Sequence, residues 1–513
     1  MTKKNIPCWL GIDVGGTTIK AGLYDAECKE LSSGRRNLTQ LSPKPGYAER
    51  DMIVLRDECY QVISEALNKS EINPLAIKGI AISAQGKGLY PIDKYGRPAF
   101  GTNGIISADR RAIDVVKRWS KEHIEQQLYP YTRQALWTGH PVSILRWFKE
   151  NEPEKYRNID AVMMPHDYLR FCLTGDKSLE LTNISESNLF NMNTEQFDER
   201  LAKLTGIEDI MEKLPRIVQS TQQCGVVNKE AAEQTGLAEG TPVFGGLFDV
   251  DSVAITSGLR DGNSLNVSIG TWSVTTGLAT ELSNNDVHPF VYGRHPAQST
   301  YIIHEASPTS SGNLEWVCRN LGCSDFTKIN SMVEASLDKK SEVFFLPFLY
   351  GSNASLDATA GFYGLQAAHD SGDLFAACYE GVVFAGMKHI NSLKRKFTDV
   401  KNLVVTGGPT HSQIWMQILS DTAQLPLELP KLEEPGCLGA ALVAMAGTDF
   451  DGDVHKAQKR LCIESNRVEP RREKADYYKE KLFRYNLLVE SINSYHEKLN
   501  EHKRSFEKTE ERT

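Results

Sequence analysis

The chain has 513 residues, 40% hydrophobic, 24% charged and 9% aromatic, enough for two or three domains with cores of their own, and this excludes disorder as the main description. Its 58 basic and 66 acidic residues give a net charge of -8 with no long basic run, which argues against nucleic acid or an anionic membrane as a partner. The ten cysteines form no CxxC pair and no regular spacing, so neither a disulfide framework nor a zinc site is expected, and a reducing cytoplasm fits.

The N-terminus, MTKKNIPCWLGID, lacks the apolar core of a signal peptide, and the run CLGAALVAMAG is too short to span a bilayer, so no membrane association is expected. Two apolar strands follow at 8–14 and 19–24, joined by a hairpin tip of Gly15, Gly16, Thr17 and Thr18. A third strand near 36–39, a helix over 52–67 and a buried strand at 77–83 come next. Residues 112–206 read as largely helical, with Trp119, Trp137, Trp147 and Phe148 at helix-like spacings. A second hairpin then recurs, a strand at 264–269, a turn at Gly270 and Thr271, and a strand at 272–277. After it the pattern predicts a strand at 301–304, helices over 311–321 and 373–393, a strand at 403–408, and helices over 412–423 and 436–446. This is an α/β chain in two halves, 1–252 and 253–465, with a ligand cleft between them. In the tail, 466–513, Tyr478, Leu482, Tyr485, Val489, Ile492 and Leu499 make one apolar stripe. That stripe predicts a helix docked on the body, with a coiled-coil homodimer as the alternative.

Asp13 to Lys20, DVGGTTIK, sets an acid at the end of a strand before two glycines and two hydroxyls. Bare backbone N–H groups and hydroxyls suit a phosphate tail, and the acid could hold Mg²⁺ beside it; a plain Gly-rich turn explains the segment equally well. Gly407 and Gly408, between a strand and a helix, could let backbone approach a flat ring, although such a connection is common. The GxGxxG and GxxxxGK[ST] phosphate motifs are both missing. Asp249 ends an apolar strand in VFGGLFDVDSVA, where it could accept a proton from a hydroxyl or simply cap a helix, and Asp251 competes for either part.

The ordered segments DVGGTT, SAQGKG, SADRR, HDYL, GGLFD, SIGTWS, TGGPTHSQIW and GCLGAA resemble the FGGY carbohydrate kinases, of the actin and hexokinase superfamily. The resemblance covers roughly residues 9–447 and implies two actin-like (ribonuclease H-like) domains, ATP as phosphoryl donor and Mg²⁺. It implies Asp249 as catalytic base, Asp13 as the phosphate-side acid at the metal, and phosphate contacts from the hairpin Gly15 to Lys20 and from Gly270 and Thr271. Gly407 and Gly408 match the adenosine motif, with Gly312 and Gln413 as neighbours, while Gln85, Gly86, Lys87 and Asp109 are the sugar-contact candidates.

Where the family usually has Gln-Met-His-Gly or Gln-Arg-Glu, this chain has Gln85, Gly86, Lys87 and Gly88, and the usual Trp-x-Asp-x-Arg survives only as Ser107 to Arg111. Together with LWTGHPVSILRW, MMPHDYLR and NISESNL, these departures resemble the L-xylulose kinase branch, also linked to 3-keto-L-gulonate. The expected reaction is transfer of the ATP γ-phosphoryl group to the terminal hydroxyl of a ketopentose. L-xylulose is the expected acceptor, with 3-keto-L-gulonate, D-xylulose or another ketose or polyol as the alternative, and a sugar- and ATP-responsive binding protein without turnover is the alternative class.

Overall fold

The computed structural model describes residues 4–510 apart from 271, 284–285, 287–288 and 355–357, and side chains through His502. In chain order it forms β1 (Cys8–Val14), β2 (Thr18–Tyr24), β3 (Glu30–Asn37), α1 (Met52–Ser70) and β4 (Ile77–Ala84). A mainly helical stretch from Ile113 to Leu204 leads to β5 (Gln223–Val226), β6 (Pro242–Phe244), β7 (Leu247–Phe248) and α2 (Asp249–Thr256). Then come β8 (Ser264–Ile269), β9 (Ser273–Ala279), β10 (Tyr301–Ser307), α3 (Gly312–Leu321), α4 (Ser371–Lys396), β11 (Asn402–Thr406), α5 (Gln413–Ala423) and β12 (Leu427–Pro430). The chain closes with α6 (Pro435–Asp449), β13 (Ser465–Val468) and α7 (Ala475–Glu510).

Two compact units result, one of Met1–Arg260, Leu278–Ile303 and Leu432–Cys462, the other of Asp261–Gly277, His304–Lys431 and Ile463–Thr513. In the first, the strands run β5-β6-β4-β1-β2-β3, with β7 also paired to β4. β1 is antiparallel to β2 and parallel to β4, and its side chains alternate between two cores. Cys8, Leu10, Ile12 and Val14 face α1, among Met52, Leu55 and Ile63. Trp9 lies with the apolar residues of α6, and Gly11 leaves room for that helix, since a Cβ there would stand 1.8 Å from the Cys437 carbonyl oxygen. Helix α6, CLGAALVAMA within its bounds, is buried on every side, as a helix apolar all round must be. Its sequence number falls in the C-terminal half, yet it packs in the first unit, on β1 and β4.

In the second unit β8 repeats the arrangement of β1, antiparallel to β9 and parallel to β11, with β12 and β13 continuing the sheet. The buried helix α4 stacks Tyr379 on Trp415 of α5 at 4.3 Å between ring centroids. Residues of α7 close the other side. Tyr478 and Tyr485 pack on Phe384, and Lys481 donates to Glu380 at 2.7 Å with both side chains buried. The first part of the tail helix is thus docked within its own unit.

Element boundaries differ from the sequence expectation where polarity misleads. β3 begins at Glu30 instead of residue 36, because ELSSGRRN carries few apolar residues and is held by its ladder to β2. β11 stops at Thr406, before Gly407 takes a φ of 106° that ends the strand.

Candidate active site

Asp13, Gln85 and Asp249 are brought together by register. Asp13 lies opposite Ser83 on the neighbouring β4, Gln85 follows the end of β4, and Phe248 of β7 pairs with Ala84, so Asp249 leaves the sheet at the same level. All three strands are parallel, and carboxyl ends of parallel strands are where open α/β sheets build sites.

The alternation that sends Trp9 and Gly11 toward α6 sends Asp13 there too. A Cβ on Gly436, in the first turn of α6, would lie 2.2 Å from the Asp13 carboxyl carbon, so the glycine makes the space this carboxylate uses. Lys20, opposite Asp13 on β2, forms an ion pair with Glu434. Burial pushes the Asp13 carboxyl up to about 6, against the pull of Lys20 and Ser83.

The hairpin tip closes through the Gly15 N–H, which donates to the Thr18 carbonyl at 2.9 Å. Arg50, 2% exposed, braces it from below, donating to the Gly16 carbonyl at 2.5 Å and the Gly15 carbonyl at 3.3 Å. Gly16 and Thr17 are left exposed at the tip, while Thr18 and Lys20 are half-buried.

Asp249 is the first residue of α2 and Phe248 holds the cap position, so the carboxylate does not serve as the N-cap. Burial, and next the Asp13 charge, raise it to about 7, with Lys87 and the Val250 N–H pulling the other way. Asp251 is fully buried, both its oxygens lack a hydrogen-bond partner among the described residues, and burial followed by Glu180 raises its carboxyl well above its ordinary value. Asp249, by contrast, is half-buried.

The segment from Gln85 to Gly88 is shaped by close packing. A Cβ on Gly86 would meet the Phe248 ring at 2.4 Å, and Lys87 takes a φ of 65°. The Lys87 N–H donates to Asn183 Oδ1 at 2.9 Å, and its ammonium reaches Glu186 Oε2 at 2.5 Å and lies over the Phe248 ring. Gln85 accepts through its carbonyl from Asn183 at 3.3 Å, and its side-chain oxygen comes near the hairpin tip at Gly16.

Asp109 stands apart from this group in its bonding. It is fully buried and accepts from the Ala48 N–H at 2.7 Å and from the Arg111 backbone and guanidinium at 2.8–3.0 Å, so both oxygens are used to hold the chain.

The second unit assembles the other candidates. Gly270 donates to the Trp272 carbonyl at 3.0 Å across the hairpin and accepts from Ser311 Oγ at 2.6 Å, which ties the tip to Gly312 at the start of α3. Thr271 lies outside the described residues. Gly407 follows β11, and a Cβ there would stand 2.2 Å from the Ile269 carbonyl oxygen; around Gly408 the space is open. Gln413, the first residue of α5, is exposed.

Residues 8–256 match the FGGY family of carbohydrate kinases, N-terminal domain, and 265–448 match its C-terminal domain. The chain belongs to the FGGY family of carbohydrate kinases. It is similar to the L-xylulose/3-keto-L-gulonate kinase of Escherichia coli, 50% identical over 96% of this chain and 99% of that one. The probable L-xylulose kinase of Pasteurella multocida is 50% identical over 89% of this chain and 94% of its own. Among solved structures, a ligand-bound xylulose kinase from Lactobacillus acidophilus shares the fold at a TM-score of 0.88 and 21% identity, covering 96% and 99% of the two chains. The FGGY fold has two domains with mixed α/β sheets, the chain is a sugar phosphotransferase, and its family implies ATP as donor. Among the described residues no helix is long and apolar enough to cross a membrane.

Sequence reasoning assigned no role to Arg50, Asn183 or Glu186. NISESNL was in view for its resemblance, but no spacing rule links residue 87 to residue 186; only the fold pairs them.

Proposed function

We propose that this FGGY kinase transfers the γ-phosphoryl group of ATP to the terminal hydroxyl of a ketopentose, O5 of L-xylulose. The observation that carries the reading is Asp249, a reachable carboxylate at a strand end, raised to about 7 beside Asp13 and facing the Lys87 and Glu186 pair. A base poised near neutral accepts the hydroxyl proton as the oxygen attacks phosphorus. Phosphoryl transfer otherwise asks for alignment and for donors to the phosphoryl oxygens, which the exposed hairpin tip at Gly16 and Thr17 supplies in this reading, with Gly407 and Gly408 left for the adenosine.

Asp13 suits Mg²⁺. One carboxylate commonly suffices when phosphates and waters complete the shell, and burial, which raises the Asp13 carboxyl, is a setting in which a divalent cation would favour its charged form. Asp13 would hold the ion, which would supply positive charge against the phosphates, and Lys20 and Glu434 fix the neighbouring strand.

The substrate choice rests on the names of the two bacterial relatives and on one feature of the site. Lys87 is already paired with Glu186, so a sugar carboxylate would meet a carboxylate as well as the ammonium, which favours the uncharged ketopentose over a keto acid. An ADP-release assay across L-xylulose, D-xylulose, 3-keto-L-gulonate, ketohexoses and polyols tests this. L-xylulose is expected to give the highest kcat/KM; a higher value for the keto acid overturns the choice, and no turnover with any sugar overturns the kinase in favour of a binding protein.

A further inference from the structure

A buried imidazole lies between the two segments that form the sugar side of the site. His140, in the LWTGHP run, is 2% exposed and precedes the helix Pro141–Asn151, whose N-cap position it holds without using its side chain as a cap. Its segment is hung from both sugar-side segments. The Gly88 N–H donates to the Gly139 carbonyl at 2.9 Å, Trp137 Nε1 donates to the Ser107 carbonyl at 3.1 Å, and Thr138 Oγ1 donates to the Asp109 carbonyl at 2.7 Å. Gly139 has no room for a side chain, because a Cβ would stand 2.0 Å from the Ser107 carbonyl oxygen.

The proton on this ring can be located from its neighbours. Thr132 Oγ1 donates to Asn188 Oδ1 at 2.9 Å, and Asn188 Nδ2 donates to the Ala135 carbonyl at 3.2 Å, which fixes which end of the amide is nitrogen. The same Nδ2 lies 3.0 Å from His140 Nδ1 and therefore donates to it. Nδ1 is an acceptor, and the neutral ring carries its hydrogen on Nε2. Burial, and then the Lys87 charge, push His140 down to about 3, so it stays neutral throughout the working range. Nε2 is buried and has no hydrogen-bond partner among the described residues. A buried N–H with nothing to donate to is costly, and in a ligand site the ligand can supply its acceptor.

We propose that His140 is a specificity-determining residue whose Nε2–H donates a hydrogen bond to a hydroxyl or carbonyl oxygen of the bound sugar, beside the Lys87 and Glu186 pair. The proposal rests on the sugar-kinase reading for the identity of the ligand, while the tautomer and the missing partner stand on the protein alone. Asp109 acquires a part through it, since its backbone carbonyl holds Thr138 and so sets where the imidazole stands.

Two substitutions separate a ligand contact from a packing role. His140→Asn keeps an acceptor near the Nδ1 position for Asn188 and loses the donor at Nε2; His140→Gln reaches the Nε2 position with an amide N–H. With L-xylulose and ATP, H140N is expected to raise the KM for sugar by about tenfold or more, to leave the KM for ATP unchanged, and to be milder in the melting curve than in the kinetics. H140Q is expected to recover most of the sugar KM. The reverse order of the two variants, or a sugar KM within twofold of wild type in H140N, overturns the proposal. Nitrogen-15 NMR of the labelled imidazole at neutral pH should show a bare Nδ1 and a protonated Nε2; the opposite tautomer also overturns it. Should the wild type turn over another sugar and not L-xylulose, the substrate reading fails and the same two variants are decided on that sugar. Should it turn over none, both fail.

Discussion

The two hairpins share one topology and differ in chemistry. β1 turns back into β2 and runs parallel to β4; β8 turns back into β9 and runs parallel to β11. At the level where β1 places Asp13 opposite Ser83, β8 places Ser268 opposite Thr406. The first unit therefore collects carboxylates at its strand ends, Asp13 and Asp249, and the second collects bare backbone, Gly270, Gly407 and Gly408. In the proposed reading, one frame serves proton and metal chemistry in one copy and close approach to a ligand in the other, because the residues at and after the strand ends differ.

The largest test of this contrast is Asp249→Asn. Loss of a general base typically costs about 10²–10⁴ in rate, so kcat should fall by that factor while L-xylulose binding measured by calorimetry persists. Asp251→Asn is the matched control and should retain most turnover, since burial raises the Asp251 carboxyl and an amide replaces its uncharged form; equal losses in the two variants would break the assignment.

Next in size is the pair of glycines that serve the two tips. Gly436→Ala puts a methyl within 2.4 Å of the Asp13 carboxyl oxygens, and displacing a positioned group by about 1 Å can cost roughly 10² in kcat. Gly407→Ala, at φ 106° and 2.2 Å from the Ile269 carbonyl, should instead lower stability by about 1–3 kcal/mol in denaturant melts. Activity loss without Asp13 displacement, judged by an unchanged pH profile in G436A, would count against the first.

A smaller effect is expected from pH. With Asp249 at about 7, kcat/KM should fall below neutrality as the base protonates. Its carboxyl is raised from 3.8, so its contribution to folding is fully present below about 4 and is lost as pH rises through about 7. D249N should accordingly melt higher than wild type at pH 8, and the difference should vanish near pH 4; a constant difference would contradict the shift. The smallest change is Gly408→Ala. Space around Gly408 is open, so stability should stay within about 0.5 kcal/mol and only the KM for ATP should rise.

Much of the frame was legible in advance. The strands at 8–14 and 264–269, the buried helix near 436–446 and the tail helix all announce themselves by apolar runs or by period, and they form close to where those patterns place them. β3 was expected only near its end, at 36–39, because the polar residues from Glu30 are carried by the ladder to β2 and have no periodic signal. Within the site, Asp13 and Asp249 could be named because each ends an apolar strand, and Gln85 through the family resemblance. Arg50, Asn183 and Glu186 could not, since their partners lie from 34 to 99 residues away in the chain.

What the sequence determined alone is local: where backbone must turn, which strands are buried, and which acids end them. Only the tertiary structure decided the rest. It returned α6 to the first unit, where Gly11 and Gly436 admit it against β1, and it separated two acids that are two residues apart into one reachable carboxylate and one sealed from solvent. It also committed Asp109 to holding the chain and left the His140 donor without a partner among the described residues. The reason is physical: burial, charge and hydrogen-bond partners are set by what surrounds a side chain, and most of those surroundings are distant in sequence.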